Sequence, residues 1–236
     1  MKLKIKQYVQ ALADALMPRT CPVCEQVLDA DERYVCRSCW SRVPRTHLES
    51  VPFNAMEQRF AGKVRIERAA AYFYYEKSNP YASIIHNIKY RNMPSMGQWI
   101  AARAATDMAA SGFFDDVDVV VPVPLHRDKQ AQRGYNQAEM IARGIAQVTH
   151  ATVACKLVAV KGHSTQTQKG AYERWVNTRD TYAAAADAAT ALTGKHVLIV
   201  DDVVTTGATM LACAEAIATI PGVKISLFSL AAARLD

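Results

Sequence analysis

The chain has 236 residues, half of them hydrophobic, which predicts one large or two small domains with a sizeable core. Its 21% of charged residues, 10 glycines and 9 prolines exclude widespread disorder and a fibrous protein. No apolar run is long enough to cross a bilayer. The net charge is +6, and residues 1–68 hold 12 Lys or Arg against 8 Asp or Glu. This balance permits contact with a polyanion such as nucleic acid without requiring it.

The N-terminal segment predicts an amphipathic helix. Residues 3–16 have helical spacing of apolar side chains and end before Pro18. Gln7, Gln10 and Asp14 interrupt the apolar stretch that a signal peptide would need. A cytoplasmic location is therefore expected.

A cysteine-rich segment follows this helix. Four of the six cysteines stand close together, at Cys21, Cys24, Cys36 and Cys39. Two C-x2-C turns separated by eleven residues complete a tetrahedral S4 site that suits structural zinc, since no coordination position stays open. A disulfide pair and four ordinary thiols are the alternatives, and a reducing cytoplasm disfavours disulfides. Cys155 and Cys213 are predicted to be small buried hydrophobes.

Strands and helices alternate along the rest of the chain, after a polar segment at 43–51 that predicts a linker. The predicted strands cover residues 69–75, 117–121, 197–200 and 223–230. The predicted helices cover a segment that opens at 78–80 and carries three isoleucines up to Ile88, and then residues 96–108, 136–149 and 209–219. The alternation predicts an α/β domain built on a parallel sheet. The chain is thereby divided into a module at 1–50 and a domain at 51–236.

The most informative segment is the end of the strand at 197–200, which two carboxylates follow directly, Asp201 and Asp202. The next residues are small or hydroxylated and lead into a helix: Thr205, Thr206, Gly207, Ala208 and Thr209. Ligands of parallel sheets bind outside the carboxyl ends of strands, and N–H groups at a helix N-terminus favour an anion. A ribose 5-phosphate fits both parts, because its hydroxyls suit the carboxylates and its phosphate suits the loop.

Other nucleotide- and phosphate-binding patterns do not fit this segment. Neither G-x4-G-K-[ST] nor G-x-G-x-x-G occurs at a strand end. A receiver domain also starts from a strand with two aspartates, but it needs a later phospho-acceptor, and only Asp236 follows Asp202. A helix capped by Thr205 after an ordinary strand is the remaining alternative. It leaves the paired acids and the glycine unexplained.

The segment from His196 to Met210 resembles the phosphoribosyl pyrophosphate (PRPP) signature of type I phosphoribosyltransferases. With the double C-x2-C in front of it, the chain resembles the ComF (ComFC/GntX) family over nearly its full length. The resemblance implies a type I phosphoribosyltransferase-like parallel sheet with helices on both faces, preceded by a small zinc-binding module. It also implies that the carboxylates and the loop up to Thr209 bind PRPP together with Mg²⁺.

A second strand end, within residues 121–137, is rigid and basic. The residues that the resemblance places near the pyrophosphate of PRPP are Pro124, Leu125, His126 and Arg127. The resemblance also gives a catalytic role to Arg133, in an R-G-Y-N-Q stretch. A solvated basic loop is the alternative interpretation of this segment.

Residues 161–177 are polar, basic and interrupted by glycine, which predicts a mobile loop. Similar enzymes use such a loop as a lid that excludes water from the reaction centre. The resemblance gives catalytic roles to His163 and Arg174, and His163 stands where the family commonly has an arginine. The pair Lys89–Tyr90 also recurs in the family, and a surface helix end explains it equally well.

The resemblance implies a PRPP-binding protein that acts in DNA uptake during natural transformation. Its partners would be single-stranded DNA and a helicase on the cytoplasmic side, with no membrane span. The alternative is an active phosphoribosyltransferase that transfers ribose 5-phosphate to an unknown acceptor. A third hypothesis is a structural module with a vestigial site, against which the intact segment at 201–209 argues.

Overall fold

The computed structural model of the chain describes residues 18–160 and 181–234. The sequence predictions that lie outside the described residues are the helix at 3–16, the loop at 161–177, His163 and Arg174. Within the described ranges, no helix combines the length and the apolar character that a membrane span requires.

The described residues form eight α-helices and seven strands. The helices are α1 (Arg37–Ser41), α2 (Ala55–Gln58), α3 (Ala82–Tyr90), α4 (Pro94–Met108), α5 (Arg127–Arg133), α6 (Gln137–Thr149), α7 (Ala188–Leu192) and α8 (Ala208–Ile217). The strands are β1 (Arg68–Tyr75), β2 (Val119–Pro122), β3 (Thr152–Val153), β4 (Leu157–Ala159), β5 (Tyr182–Ala184), β6 (His196–Val204) and β7 (Lys224–Ala233). Two 3-10 helices also occur, Leu48–Ser50 and Ala109–Ser111.

Five of these strands form one parallel sheet in the order β1-β7-β6-β2-β3. The long strands β6 and β7 lie inside it and are largely buried, as their apolar sequences predict. Helix α6 packs against β2 and β6, and α8 packs against β6. The predicted α/β fold on a parallel sheet is confirmed. Because all five strands run in one direction, their carboxyl ends meet at the same edge of the sheet.

The segment at 43–51, for which the composition predicts a linker, lies along the edge strand β1 instead. The backbone N–H of Thr46 donates to the carbonyl of Tyr72 at 3.1 Å, and the N–H of Tyr74 donates to the carbonyl of Pro44 at 2.9 Å. The linker prediction was wrong because polar composition does not reveal backbone pairing with the open edge of a sheet.

Two other predictions also need correction. Strand β6 runs on to Val204, so Asp201 and Asp202 belong to the strand and do not follow it. The predicted basic loop after β2 contains helix α5. Cys213 is buried in α8 as predicted, whereas Cys155 is exposed, contrary to the prediction.

Helices α4 and α6 approach each other closely at Gly144. A Cβ atom at this position would lie 2.2 Å from the backbone oxygen of Gln98 and 2.8 Å from the Cβ of Ala101. The two helices therefore meet almost backbone to backbone, which makes them a rigid layer against the β2 and β6 side of the sheet.

Candidate functional site

The acidic pair lies near the carboxyl end of β6, at the edge where all five parallel strands end. The backbone N–H of Asp202 donates to Oδ1 of Asp201 at 2.8 Å. Side chains of consecutive strand residues point to opposite faces. The two carboxylates therefore approach the edge of the sheet from both sides of β6.

Among the described residues, Lys89 is the cation that contacts this pair directly. Its Nζ lies 2.9 Å from Oδ1 of Asp202, and the two side chains are only 22% and 10% exposed. Lys89 stands in the last turn of α3, more than a hundred residues before its partner. The sequence left it undecided between a surface helix end and a site residue. The structure places it in the site.

The surroundings of the pair disfavour two negative charges. Burial raises the pKa of Asp201 to about 7, and the charge of Asp202 raises it as well. The charges of Lys89 and Arg133 lower it, without cancelling the first two effects. Such a pair favours a ligand that brings a cation or hydrogen-bond donors to the carboxylates.

The predicted phosphate loop connects β6 to α8 and is held from outside. Gly207 precedes α8 with a φ of 80°, a left-handed conformation that favours glycine. A Cβ atom there would lie 3.2 Å from Cζ of Phe60, so the ring covers the turn closely. Arg59 donates from Nη1 to the carbonyl of Thr205 at 2.7 Å. The loop is thus fixed by two residues of the segment after α2.

The N-terminus of α8 faces the same edge of the sheet. The hydroxyl of Thr206 accepts a 3.4 Å hydrogen bond from the N–H of Ala208. Thr205 is exposed, and Thr206 and Thr209 are partly exposed. Hydroxyls and free N–H groups at a helix N-terminus are suited to an anion. The alternative hypothesis, that Thr205 caps this helix, is wrong, since Gly207 occupies the N-cap position.

The second predicted strand end lies next to the first. Strand β2 pairs with β6, and the N–H of Val123 donates to the carbonyl of Val200 at 2.9 Å. Residues 124–127 therefore leave the sheet beside the acidic pair. His126 caps α5 and lies 3.2 Å from the carboxylate of Asp128, while the side chain of Arg127 is exposed.

Arg133 closes this side of the site. Its Nη1 donates to Oε1 of Gln137 at 2.9 Å, and its guanidinium lies 5.4 Å from the ring centre of Tyr90. Asn136 caps α6 and donates to the carbonyl of Val123 at 3.0 Å. The R-G-Y-N-Q stretch thereby joins the end of β2 to the end of α3.

The structure brings the described candidates together at one edge of the sheet. The residues that meet there are Asp201, Asp202, the loop 205–209, residues 124–127 and Arg133. Their binding and catalytic roles stay predictions. Sequence reasoning missed Arg59 and Phe60, because nothing in their local pattern marks them and their partners lie at least 146 residues away.

The four clustered cysteines form a second candidate site. Their sulfur atoms all lie within 4.8 Å of one another, and those of Cys24 and Cys36 are 3.7 Å apart. Tetrahedral zinc with bonds of about 2.3 Å holds its sulfur ligands a little under 4 Å apart. Burial and the neighbouring thiols raise the pKa of Cys39 well above its ordinary value. The donor set and its spacing therefore fit a structural zinc ion, which supplies the positive charge that four thiolates need.

Comparison with known proteins finds two matching families along the chain. Residues 102–234 match the phosphoribosyl transferase domain family, which is more than half of the chain. Residues 12–50 match the double zinc ribbon domain family. The chain belongs to the ComF family of phosphoribosyltransferase-domain proteins.

Relatives of this ComF protein carry two different names. "DNA utilization protein YhgH" of Escherichia coli K12 is 24% identical over 205 residues, which cover 83% of this chain and 82% of the relative. "Competence protein F" of Haemophilus influenzae is 27% identical over 136 residues, 56% of this chain and 58% of the relative. A solved structure, described as the allosteric regulatory enzyme of purine biosynthesis, is 24% identical with a TM-score of 0.30. The match covers 57% of this chain and a quarter (25%) of that one.

The zinc site of this ComF protein yields a first prediction. We expect one zinc ion per chain, and we expect Cys39→Ser to lose it and to lower the free energy of unfolding by several kcal/mol, since structural zinc contributes roughly 10 kcal/mol in zinc-finger peptides. Metal analysis and chemical unfolding check this result. Cys155→Ser is the control, because that thiol is exposed and outside the cluster. Equal zinc content in Cys39→Ser and wild type would contradict the assignment.

The raised pKa of Asp201 yields a second prediction. A carboxyl whose pKa is higher in the folded chain stabilises the fold while it is protonated, and that stability is lost as the pH rises from 3.8 to about 7. We therefore compare the free energies of unfolding of Asp201→Asn and wild type at roughly pH 5 and pH 8. The difference should shift in favour of Asp201→Asn by about 1 kcal/mol or more at the higher pH, since one pKa unit is about 1.4 kcal/mol. Urea unfolding at both pH values measures the difference.

Asp118→Asn provides a control, because the pKa of Asp118 is shifted in the opposite direction. The backbone N–H of His196 and the charge of Lys195 lower the pKa of Asp118, after allowance for burial. Its carboxylate therefore stabilises the fold above the unfolded pKa, and the Asn variant gains nothing from higher pH. A stability difference for Asp201→Asn that does not change with pH would show that Asp201 is not held in this environment.

Proposed function

We propose that this ComF protein binds PRPP at the carboxyl edge of its sheet. The observation that carries the proposal is the acidic pair Asp201–Asp202 beside the loop 205–209, whose N–H groups and hydroxyls suit an anion. Lys89 contacts Asp202, and the charge of Arg133 acts on Asp201. A ligand for this edge needs hydroxyl groups at one end and a phosphate at the other. It also needs negative charge near the basic residues.

Each part of PRPP then has a partner. Asp201 and Asp202 accept hydrogen bonds from the ribose hydroxyls. The N–H groups and hydroxyls of the loop 205–209 hold the 5-phosphate at the N-terminus of α8. Residues 124–127 and Arg133 lie on the side where the pyrophosphate extends, and their basic groups offset its charge.

Mg²⁺ fits the same acidic pair. Carboxylate oxygens are ligands that Mg²⁺ prefers, and it is usually bound by one or two carboxylates together with substrate phosphates. Asp201 and Asp202 would hold the ion directly or through water. When bound, Mg²⁺ neutralises part of the pyrophosphate charge.

Calorimetric titration of PRPP with Mg²⁺ tests this function. We expect wild type to bind and Asp201→Asn/Asp202→Asn to bind about a hundredfold more weakly or not at all, since hydrogen bonds to charged groups contribute about 1.5–3 kcal/mol each. The substitution removes charge while keeping shape, so the fold should persist.

The chain offers a matched control for that experiment. Asp115 and Asp116 are also adjacent, but both are exposed in the turn before β2, at the opposite edge of the sheet. Asp115→Asn/Asp116→Asn should bind PRPP like wild type, and asparagine tolerates the positive φ of Asp116. No binding by wild type, or equal loss in both pairs, would refute PRPP binding at Asp201–Asp202.

We further propose that the protein acts in DNA uptake on the cytoplasmic side. The module at 1–50 and the domain at 51–236 would both take part in this role. Two relatives support this role by name, one as a DNA utilization protein and one as a competence protein. Single-stranded DNA is the proposed polymer, and a helicase of the uptake machinery is the proposed partner protein.

A groove between the zinc module and the domain supports the contact with single-stranded DNA. Its lining includes three exposed cations, Arg33, Lys77 and Arg91, and aromatic rings that include Tyr34 and Tyr75. Glu25 is the one acidic side chain among the described residues that line it. Positive charge that follows a backbone, together with rings on which bases stack, is the usual basis of single-strand binding without sequence preference.

Salt dependence tests the groove. We expect an oligo(dT) probe to bind wild type with an affinity that falls steeply between roughly 50 and 300 mM NaCl. Replacement of Arg33, Lys77 and Arg91 by glutamine should weaken binding and reduce the slope of log K against log salt by about 2, because each lost phosphate contact of a single strand contributes about 0.7. Fluorescence anisotropy measures both quantities.

A second triple variant removes the same charge elsewhere. Lys63, Arg65 and Lys224 are exposed and do not line this groove. Their replacement by glutamine should leave the oligo(dT) slope near the wild-type value. If both triple variants change binding equally, the protein attracts DNA through its overall charge, and the groove is not the binding surface.

An active phosphoribosyltransferase is the second candidate function, favoured by the positive charge of Arg133, which acts on Asp201. In that reaction the bond from C1 of the ribose to pyrophosphate breaks and a bond to an acceptor forms. Arg133 would stabilise the leaving pyrophosphate, and the resemblance assigns His163 and Arg174 to the same step. Release of pyrophosphate in the presence of candidate acceptors, measured on the PRPP-binding protein, distinguishes turnover from binding alone.

A further inference from the structure

Helix α3 is tied at both ends to other parts of the chain by hydrogen bonds of tyrosine hydroxyl groups. The hydroxyl of Tyr81, just before the helix, donates to the backbone oxygen of the zinc-site residue Cys39 at 2.7 Å. At the other end, the hydroxyl of Tyr135 donates to the backbone oxygen of Ile88. The direction of the last turn, which carries Lys89, is therefore set by the zinc module and by the segment before α6.

The ion pair formed by this turn is unusual for a helix end. Lys89 and Asp202 are both mostly shielded from water, and removing two charges from water is unfavourable unless their geometry is good. An apolar pair would serve the packing of α3 at least as well. A role in holding the carboxylate explains the pair better than a role in stability.

Lys89 contacts one of the two oxygens of the Asp202 carboxylate. Its Nζ lies 2.9 Å from Oδ1 of Asp202, and no hydrogen bond from a described residue reaches Oδ2. Arg133, the other cation near the pair, is held by Gln137 and lies against Tyr90. The two cations thus have different partners, and among the described residues Lys89 is the cation that pairs with Asp202.

We propose that Lys89 is a positioning residue of the ribose site: it holds the Asp202 carboxylate so that its second oxygen meets a ribose hydroxyl. This inference rests on the proposed binding of PRPP. A residue that acts only through Asp202 affects every ligand that contains the ribose, with or without pyrophosphate. A direct ligand of pyrophosphate would affect PRPP alone.

Titration of PRPP and of ribose 5-phosphate, both with Mg²⁺, tests this assignment. We expect Lys89→Met to weaken both ligands by about tenfold or more, because loss of a partner that orients a ligating group has an effect of this size. Lys89→Arg, which keeps the charge, should recover most of the affinity for both. Lys224→Met, an exposed lysine at the opposite end of the sheet, should bind like wild type.

A double-mutant cycle separates positioning from any independent effect. If Lys89 acts through Asp202, ribose 5-phosphate should bind Lys89→Met/Asp202→Asn no more weakly than Asp202→Asn alone. The phosphate loop is intact in both, so a measurable affinity should remain. Zinc content and thermal unfolding of each variant show that the fold is kept, and Lys89→Arg carries the test if Lys89→Met does not fold.

The outcomes distinguish this inference from the proposed function. Additive losses in the cycle, a loss confined to PRPP, or an arginine variant as weak as the methionine one would each overturn the positioning role. Unchanged affinity in Lys89→Met, with loss in Asp202→Asn, would overturn it while the PRPP site stands. If wild type bound neither ligand, the proposed function would be wrong, and this inference with it.

Discussion

Two carboxylates on consecutive residues at the end of a buried strand cannot both carry charge unless cations lie close to them. This constraint organises the described structure. Strand β6 supplies the acids, while the compensating charges come from the ends of α3 and α5, which the chain brings in from both sides. The parallel sheet makes this arrangement possible, because it gathers the ends of all its strands at one edge.

The zinc module contributes to the same arrangement through its contacts with the domain. Trp40 stacks on Tyr72 of β1 with ring centres 5.7 Å apart, and it also lies 5.5 Å from Trp99 of α4. Its indole N–H donates to the carboxylate of Asp107 at 3.1 Å. A module that is too small for its own core thus shares the aromatic core of its neighbour, and the cysteines hold it in the shape that this contact needs.

Local patterns in the sequence predict much of the fold, because apolar runs and helical spacing reflect burial directly. They predict four of the five strands of the sheet, the acidic pair and the cysteine cluster. They do not predict β3, α5, the pairing of residues 43–51 with β1, or the ion pair of Lys89 with Asp202. Those features depend on contacts between distant segments. A lysine at a helix end looks the same in sequence whether it faces water or a carboxylate.

The support beneath the loop 205–209 has a consequence for binding entropy. Phe60 lies where a side chain at residue 207 would stand, and Arg59 holds the carbonyl of Thr205. A free loop loses conformational freedom when it closes on a ligand, by about 1–2 kcal/mol for each residue that is fixed. A loop already held in this way has little of that freedom left to lose, so more of its interaction with an anion goes into affinity.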